Sequence, residues 1–539
     1  MPSLSFKGKS FVQNHHLSVP YHELIPDKSK SITDEISLKE NLIINGDNLL
    51  ALKALLPLYR GEIKCIYIDP PYNTGNENWA YNDNVNSPMM QDWLGKVVDK
   101  EDMSRHDKWL CMMYPRLKLL KELLKDDGVI FVSIDDAEFS NLKFIMDEIF
   151  SSENFVATFV WKRRASSAMA DKLVSKDHEY VLCYQKGGFN AFIGTEKDFK
   201  SYSNPDNDHR GDWTKGDLTV GMTKEQRPNQ YYDLIDPDTG IAYPANPQRV
   251  WAYIPESMQK LLDDKRVIFP SSSEGKPMFK RFKSDLKTNV NPISTWITDV
   301  NEALKMTDDS EITVLGSGLN SEGTKVVQQL FGEKIFDYPK PPSLLKALIK
   351  QVCDKDDIVL DSFAGSGTTG QAVLELNKED QGNRKFILVE MEDYADKITA
   401  ERIRKIVRNL ELDEKFSYFT LGKALKIETI LSGTSLPSYE EMARYLFFTS
   451  TGEEFDPNKV KMETNYIGSS KSHDVFMIYK PDLYYLKNTP LNLERAKSIA
   501  GGNKRKLVFA PMKYLEQEYL DRYKIDFVQL PYEIYKVKD

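Results

Sequence analysis

Asp69-Pro70-Pro71-Tyr72 places a carboxylate, two rigid peptides and an aromatic ring directly after the apolar run Ile63-Lys64-Cys65-Ile66-Tyr67-Ile68. Such a run reads as a buried strand, and ligands of open α/β sheets bind at the carboxyl ends of strands. The tetrapeptide also suits a particular chemistry. The exocyclic amine of a nucleobase is a poor nucleophile because its lone pair is delocalised into the ring. A carboxylate and a peptide carbonyl that accept its two N–H bonds favour localising that pair on nitrogen, while Tyr72 can stack on the base. Pro70 and Pro71 fix φ at about −65° and donate no hydrogen bonds, so the directions of the acceptors stay fixed. Taken alone, the same four residues also describe an ordinary strand-to-loop turn.

A second group lies far along the chain. Gly365-Ser366-Gly367-Thr368-Thr369-Gly370 fits G-x-G-x-x-G between a predicted strand and a predicted helix, and Glu390 follows twenty residues after Gly370. Glycines at this spacing let a cofactor approach the backbone, and an acid ending the next strand accepts hydrogen bonds from ribose hydroxyls. The pattern suits a nicotinamide dinucleotide and S-adenosylmethionine equally, and a helix-packing glycine turn is the bland alternative. A P-loop is disfavoured, because the turn contains no lysine.

The elements that must position these groups follow an alternating pattern. Leu42-Ile43-Ile44 runs into Asn45-Gly46-Asp47-Asn48, and helical spacing continues from Leu49 towards Leu58. The strand at 63–68 comes next, then an amphipathic stretch at 107–124 and a buried strand at 128–134. Helical spacing returns at 136–150, followed by apolar runs at 155–161 and 180–184. This alternation predicts an α/β fold with a mostly parallel sheet flanked by helices. From about 187 to 332, glycine, proline, asparagine and aspartate are frequent and no long periodic segment dominates, which predicts a small irregular inserted domain. The α/β pattern then resumes. A helix follows Pro341-Pro342 with Ser343 as its expected cap, a strand spans 358–360, and a helix starts at Thr368. The strand at 386–389 and a helix over 394–410 complete this part, and residues beyond about 415 read as a further module.

Composition sets the broad class. With 539 residues, 41% hydrophobic and 28% charged, the chain can bury a large core in several domains. No stretch approaches the roughly 20 apolar residues of a membrane span. The four cysteines, Cys65, Cys111, Cys183 and Cys353, show no Cys-x-x-Cys spacing and read as reduced core residues of a cytoplasmic protein. The seven histidines show no metal-ligand spacing, so no metal is expected. A formal charge of −9 argues against nonspecific coating of nucleic acid but leaves room for a local basic groove.

Read together, Asp69-Pro70-Pro71-Tyr72-Asn73-Thr74-Gly75-Asn76 and Asp361-Ser362-Phe363-Ala364-Gly365-Ser366-Gly367-Thr368-Thr369 resemble the amino-methylating DNA methyltransferases. The catalytic motif precedes the cofactor motif, which is the permuted order of the β group. The chain most resembles the modification subunits of type III restriction-modification systems, which are adenine-N6 specific. Trp109-Leu110, Pro115-Arg116-Leu117, Ser133-Ile134-Asp135-Asp136, Asp177-His178-Glu179-Tyr180 and Phe336-Asp337-Tyr338-Pro339-Lys340-Pro341 extend the resemblance. It implies a Rossmann-like sheet assembled from two chain segments. Residues 1–40 would be an N-terminal arm, 41–190 the catalytic half, 191–332 a target-recognition insertion, 333–414 the cofactor-binding half and 415–539 an accessory module.

The resemblance also implies roles. Asp69 and the Pro70 carbonyl would accept the target amine's protons, Pro71 would hold the turn, and Tyr72 would stack on a flipped base. S-adenosylmethionine would lie on Asp361, Phe363, Ala364, Gly365, Ser366, Gly367, Thr368 and Thr369, with Glu390 at its ribose and Lys340 and Ser343 alongside. Asp47 is a candidate for the adenine side of the cofactor and equally for a helix N-cap. Lys162, Arg163, Arg164, Lys172 and Lys176 are candidates for DNA phosphates, against the alternative of a solvated charge run. Implied partners are double-stranded DNA, a second copy of the chain and a restriction (Res) helicase-nuclease subunit. Cytosine C5 methylation is disfavoured because no cysteine follows a proline. Cytosine N4 obeys the same hydrogen-bond logic as adenine N6 and stays open. A nicotinamide-dependent oxidoreductase is the remote alternative.

Overall fold

A computed structural model describes residues 4–33, 35–74, 104–166, 173–270, 272, 274–308, 312–425, 437–451, 453 and 455–530. The chain divides into two compact units, one formed by residues 1–193 with 293–539 and the other by 194–292.

An eleven-stranded sheet organises the first unit. In chain order its strands are β1 (Tyr21–Pro26), β2 (Asn41–Asn45), β3 (Ile63–Ile68), β4 (Leu124–Ile134), β5 (Phe155–Lys162) and β6 (His178–Gln185). They continue as β7 (Ile293–Thr298), β8 (Thr313–Gly316), β9 (Ile358–Asp361), β10 (Lys385–Glu390) and β11 (Phe416–Leu425). The spatial order is β1-β11-β2-β10-β9-β3-β4-β6-β5-β7-β8. From β11 to β4 all neighbours are parallel. β6 is antiparallel to both β4 and β5, and β1 is antiparallel to β11.

Side-chain alternation explains why the central strands are apolar without a polar face. Ile66 and Ile68 of β3 enter one core cluster, together with the helices Asn48–Tyr59, Arg105–Leu123 and Phe139–Phe150. Cys65 and Tyr67 enter a second cluster, with the helices Pro342–Ile349, Thr368–Asp380 and Glu401–Asn409. Both faces of the parallel strands are thus covered, so each strand reads as a continuous hydrophobic run. All four cysteines are buried and unpaired in this layering. Among the described residues no helix is long and apolar enough to cross a membrane.

Three boundaries differ from the sequence reading. The second unit is shorter than the 191–332 insertion expected, because β7 and β8 return to the main sheet at 293–316. Their apolar signal is thin: Ile297 and Leu315 are buried, but Ser294, Thr295 and Trp296 interrupt any run. The arm expected at 1–40 supplies β1, and the module expected from 415 opens with β11, which pairs with β1 and β2. The remainder of that module carries a four-stranded sheet of Tyr466–Ser469, His473–Met477, Arg505–Ala510 and Ile525–Gln529.

The second unit contains a three-stranded antiparallel sheet, of Val267–Ile268, Met278–Phe282 and Trp213–Asp217. Leu218, Leu234, Tyr243, Trp251 and Met258 form its apolar cluster. Within Lys280-Arg281-Phe282 the pleat turns Phe282 and Lys280 inward and leaves Arg281 exposed. Lys280 is consumed by Asp206 and Asp208.

Candidate active site at the carboxyl edge of the sheet

β9 and β3 lie side by side with Leu360 opposite Ile66, so Asp361 and Asp69 emerge at the same carboxyl edge. The turn after β3 is held from outside. Trp109 Nε1 donates to the Pro71 carbonyl at 2.7 Å. Asn73 takes a left-handed φ of 54°, a conformation that asparagine tolerates better than most residues. Its side-chain amide donates to buried Glu138, which also bonds His106 Nδ1 at 2.6 Å and accepts from Asn141 Nδ2 at 2.7 Å.

Asp69 meets residues from two distant segments. Lys340 Nζ donates to Asp69 Oδ1 at 2.9 Å and to the Tyr72 hydroxyl oxygen at 2.9 Å, and it lies 3.3 Å from Glu179. The Tyr72 hydroxyl sits 2.9 Å from Asp69 Oδ1 and 3.2 Å from Glu179 Oε2, and its single hydrogen serves one of them at a time. The ammonium also lies 4.9 Å from the centroid of the Tyr72 ring. One lysine therefore faces two carboxylates. Burial on its own would lower the Lys340 pKa, but the charges of Asp69 and Glu179 outweigh it and hold the group above its usual value. Burial pushes Asp69 above the ordinary carboxylate range, with Lys340 opposing and Glu179 reinforcing the rise. Asp69 keeps 26% of its side chain exposed, so water moderates that push.

The glycine loop lies next to the Lys340 segment. Gly365 and Gly367 adopt φ of 52° and 82°, which only glycine takes at little cost. A Cβ on Gly370 would sit 2.6 Å from Ile403 Cδ1 and 3.0 Å from Leu388 Cδ1, so the third glycine serves helix-to-sheet packing. Asp361 accepts from the Phe363 amide at 3.0 Å and from the Thr369 hydroxyl. Burial raises its carboxyl to about 7, with those two bonds opposing. Glu390 accepts from the amides of Gly365 at 2.7 Å, Met391 at 2.9 Å and Glu392 at 3.1 Å. Burial raises it likewise to about 7. Thr368 Oγ1 donates to the Lys340 carbonyl at 3.2 Å, which ties the loop to the lysine segment.

The remaining sequence candidates divide. Asp47 caps the helix Asn48–Tyr59 by accepting from Leu49 and Leu50, so its carboxylate fills the N-cap role. Ser343 does not cap its helix. Pro341 holds the N-cap position, because Pro342 at the first helical residue has no N–H to lose. The Ser343 hydroxyl instead accepts from Gly318 N at 2.8 Å and donates to Glu322 at 2.6 Å. Lys340 lies on the tetrapeptide as well as beside the glycine loop. The four described basic candidates are all ion-paired: Lys162 with Glu302, Arg163 with Glu179, Arg164 with Asp177 and Lys176 with Asp136. Lys172 lies outside the described residues.

Two site residues carried no assigned role in the sequence reading. Glu179 belonged to a recognised tetrapeptide, yet its bond to Tyr72 depends on β6 running antiparallel beside β4. Arg402 lies in the helix after the Ala395–Ala400 π-helical turn and reaches the glycine loop, where nothing in a Glu-Arg-Ile-Arg string would place it.

Comparison with known proteins adds an independent line. The DNA methylase family pattern, covering N6 and N4 methyltransferases, matches residues 63–401. The type III restriction-modification enzyme StyLTI Mod subunit of Salmonella typhimurium is 34% identical, over 78% of this chain and 65% of its own. The EcoPI Mod subunit of Escherichia phage P1 is 30% identical, over 73% of this chain and 64% of its own. The type II methyltransferase M.KpnI of Klebsiella pneumoniae is 30% identical, over 68% of this chain and 84% of its own. The chain thus spans just under two-thirds of the two Mod subunits and most of M.KpnI.

Proposed function

The chain belongs to the DNA methylase family, and from that premise we propose that it methylates the N6 amine of adenine at a specific site in double-stranded DNA. S-adenosylmethionine would be the methyl donor, and the protein would act as the modification subunit of a type III system, with a second copy and a restriction subunit as partners. One observation carries the reading. Asp69 and Tyr72 stand beside the glycine loop, and a lysine ammonium, itself an N–H donor, already sits on Asp69 and over the ring. An incoming amine would make the same kind of contacts.

The loop fits the donor. Ser362 Oγ is buried without a hydrogen-bond partner among the described residues, and the loop turns through two left-handed glycines into the N-terminus of the helix Thr368–Asp380. Residues 361–369 would hold the methionine part, Glu390 the ribose and Asp47 the adenine side, with Lys340 and Ser343 framing the methionine end. When bound, the donor supplies a methyl group already activated by a sulfonium. Everything else is alignment and charge, which falls to the protein.

Asp69 and the Pro70 carbonyl accept the two N–H bonds of the amine and steer its lone pair. The raised proton affinity of Asp69 suits it to take, at Oδ1, the proton that the amine must lose. Tyr72 offers its ring face to the base, which has to leave the duplex at a cost of a few kcal/mol. The second unit, 194–292, would carry target recognition.

The test is Asp69→Ala. Calorimetry should show donor binding unchanged, while transfer of labelled methyl groups to duplex DNA disappears; full transfer by this variant would overturn the reading. Sequencing of modified bases in host DNA after expression reports the base, and 4-methylcytosine in place of 6-methyladenine would move the assignment to cytosine N4.

A further inference from the structure

Arg402 is fully buried behind the glycine loop, and its charge has no counter-ion there. Its Nη1 donates to Ser366 Oγ at 2.6 Å and to Thr368 Oγ1 at 2.9 Å, and its Nε donates to Gln371 Oε1 at 2.7 Å. Among the described residues no carboxylate lies within 4.0 Å of the guanidinium, and Nη2 is buried without a hydrogen-bond partner. The nearest acid in this chain of contacts, Glu375, is reached only through the Gln371 side chain and is paired with Lys346 at 3.3 Å. A buried cation lacking a counter-ion is costly and persists where the surroundings, or a bound anion, compensate it. The Thr368–Asp380 helix begins at the same loop, so its N-terminal partial charge adds to the same positive field. Asp361 and Glu390 form no ion pair with it and instead accept from loop amides and the Thr369 hydroxyl.

We propose that Arg402 is a positioning residue for the carboxylate of the donor's amino-acid end. It acts from behind the loop, fixing the Ser366 and Thr368 side chains, whose oxygens accept from it, and supplying the charge the carboxylate requires. This rests on the reading of the loop as an S-adenosylmethionine site. Arg402 would make no direct contact with the reacting atoms; its effect passes through Ser366 and Thr368. One nitrogen, Nη1, holds both hydroxyls while Nε is fixed on Gln371, which anchors the charge on the loop.

The experiment compares S-adenosylmethionine with its decarboxylated form, which keeps the sulfonium and the amine and lacks only the carboxylate. Binding to the full-length protein is measured by calorimetry without DNA. The wild type should favour the carboxylate form. Arg402→Gln should lose that preference by roughly tenfold or more while binding the decarboxylated form within about twofold of the wild type. Arg402→Lys should keep most of the preference, and it also serves if the glutamine variant fails to fold. An equal loss for both ligands in the lysine variant, or an unchanged preference in the glutamine variant, overturns the inference. Failure of the wild type to bind either ligand instead overturns the assignment of the loop itself.

Discussion

The ammonium of Lys340 stands 2.9 Å from each carboxylate oxygen of Asp69, although the two residues are 271 positions apart. The pairing joins the tetrapeptide after β3 to the segment before the glycine loop, and it gives Asp69 a stabilising charge within a partly buried site.

That pairing sets the pH behaviour of the Lys340→Met variant. Lys340 pulls the Asp69 pKa down against the upward push of burial and of Glu179. Without the lysine the Asp69 pKa rises further, so the ionised carboxylate that accepts the amine is lost sooner as pH falls. The acid limb of the kcat/KM profile should move up by about one unit or more. Transfer at pH 6 should fall far more than transfer at pH 8.5. A uniform loss across pH, with the limb in place, would assign Lys340 to the donor alone.

Glu390 predicts a second pH dependence, in donor binding. Its carboxyl lies at about 7, above its usual 4.5, because of burial. In the folded protein the neutral form is favoured, so ionisation burdens the free protein as pH rises from the unfolded value, and the burden is complete above about 7. Ribose hydroxyls donating to the carboxylate would favour ionisation and release a proton. Affinity for S-adenosylmethionine should therefore rise with pH up to about 7, by up to about tenfold per unit, and level off above that. Glu390→Gln should bind more weakly and flatten that slope. A slope retained in the variant would place the titrating group elsewhere.

Gly370 tests the packing of the loop rather than its chemistry. A valine there drives into Ile403 Cδ1 and Leu388 Cδ1, where even a Cβ would already be at 2.6 and 3.0 Å. Gly370→Val should cost roughly 1–3 kcal/mol, seen as a lower denaturation midpoint for the main unit. Gly370→Ala should cost less, because the helix regains up to about 1 kcal/mol of backbone preference. Equal midpoints for glycine and valine would mean that Ile403 and Leu388 yield freely.

The parts of this site that were legible in the sequence are those written within one element and its turn. The apolar run of β3 leads straight into Asp69, and the glycine spacing after β9 dictates a loop whatever lies around it. Lys340 could be assigned to the cofactor side from its motif, but its bond to Asp69 requires β9 and β3 to be neighbours, which is a property of the sheet. Arg402 was invisible for the same reason: one face of the Glu401–Asn409 helix meets Ser366 and Thr368 only after the π-helical turn sets its phase. β7 and β8 were missed because a two- or three-residue apolar signal gains its meaning only beside β5.

The basic residues after β5 separate into two kinds, and the separation is measurable. Arg163 pairs with Glu179, which is 6% exposed and touches both Lys340 and Tyr72. Removing Arg163 should disturb the charge balance of the site and lower kcat, with little change in how binding depends on salt. Arg164 and Lys176 instead pair with Asp177 and Asp136 at 3.4 and 3.8 Å through side chains that are 36% and 58% exposed. Such pairs are worth ~0–1 kcal/mol and exchange readily for phosphates. If both groups contact DNA, the Arg164→Ala, Lys176→Ala double variant should reduce the slope of log affinity against log salt by about 1.8. That is ~0.9 for each phosphate no longer neutralised, and affinity should fall alike for target and non-target duplexes. Fluorescence anisotropy over a salt series measures both quantities. An unchanged slope in the double variant would confine these two cations to their carboxylate partners, and the phosphates would then have to be held by other surfaces.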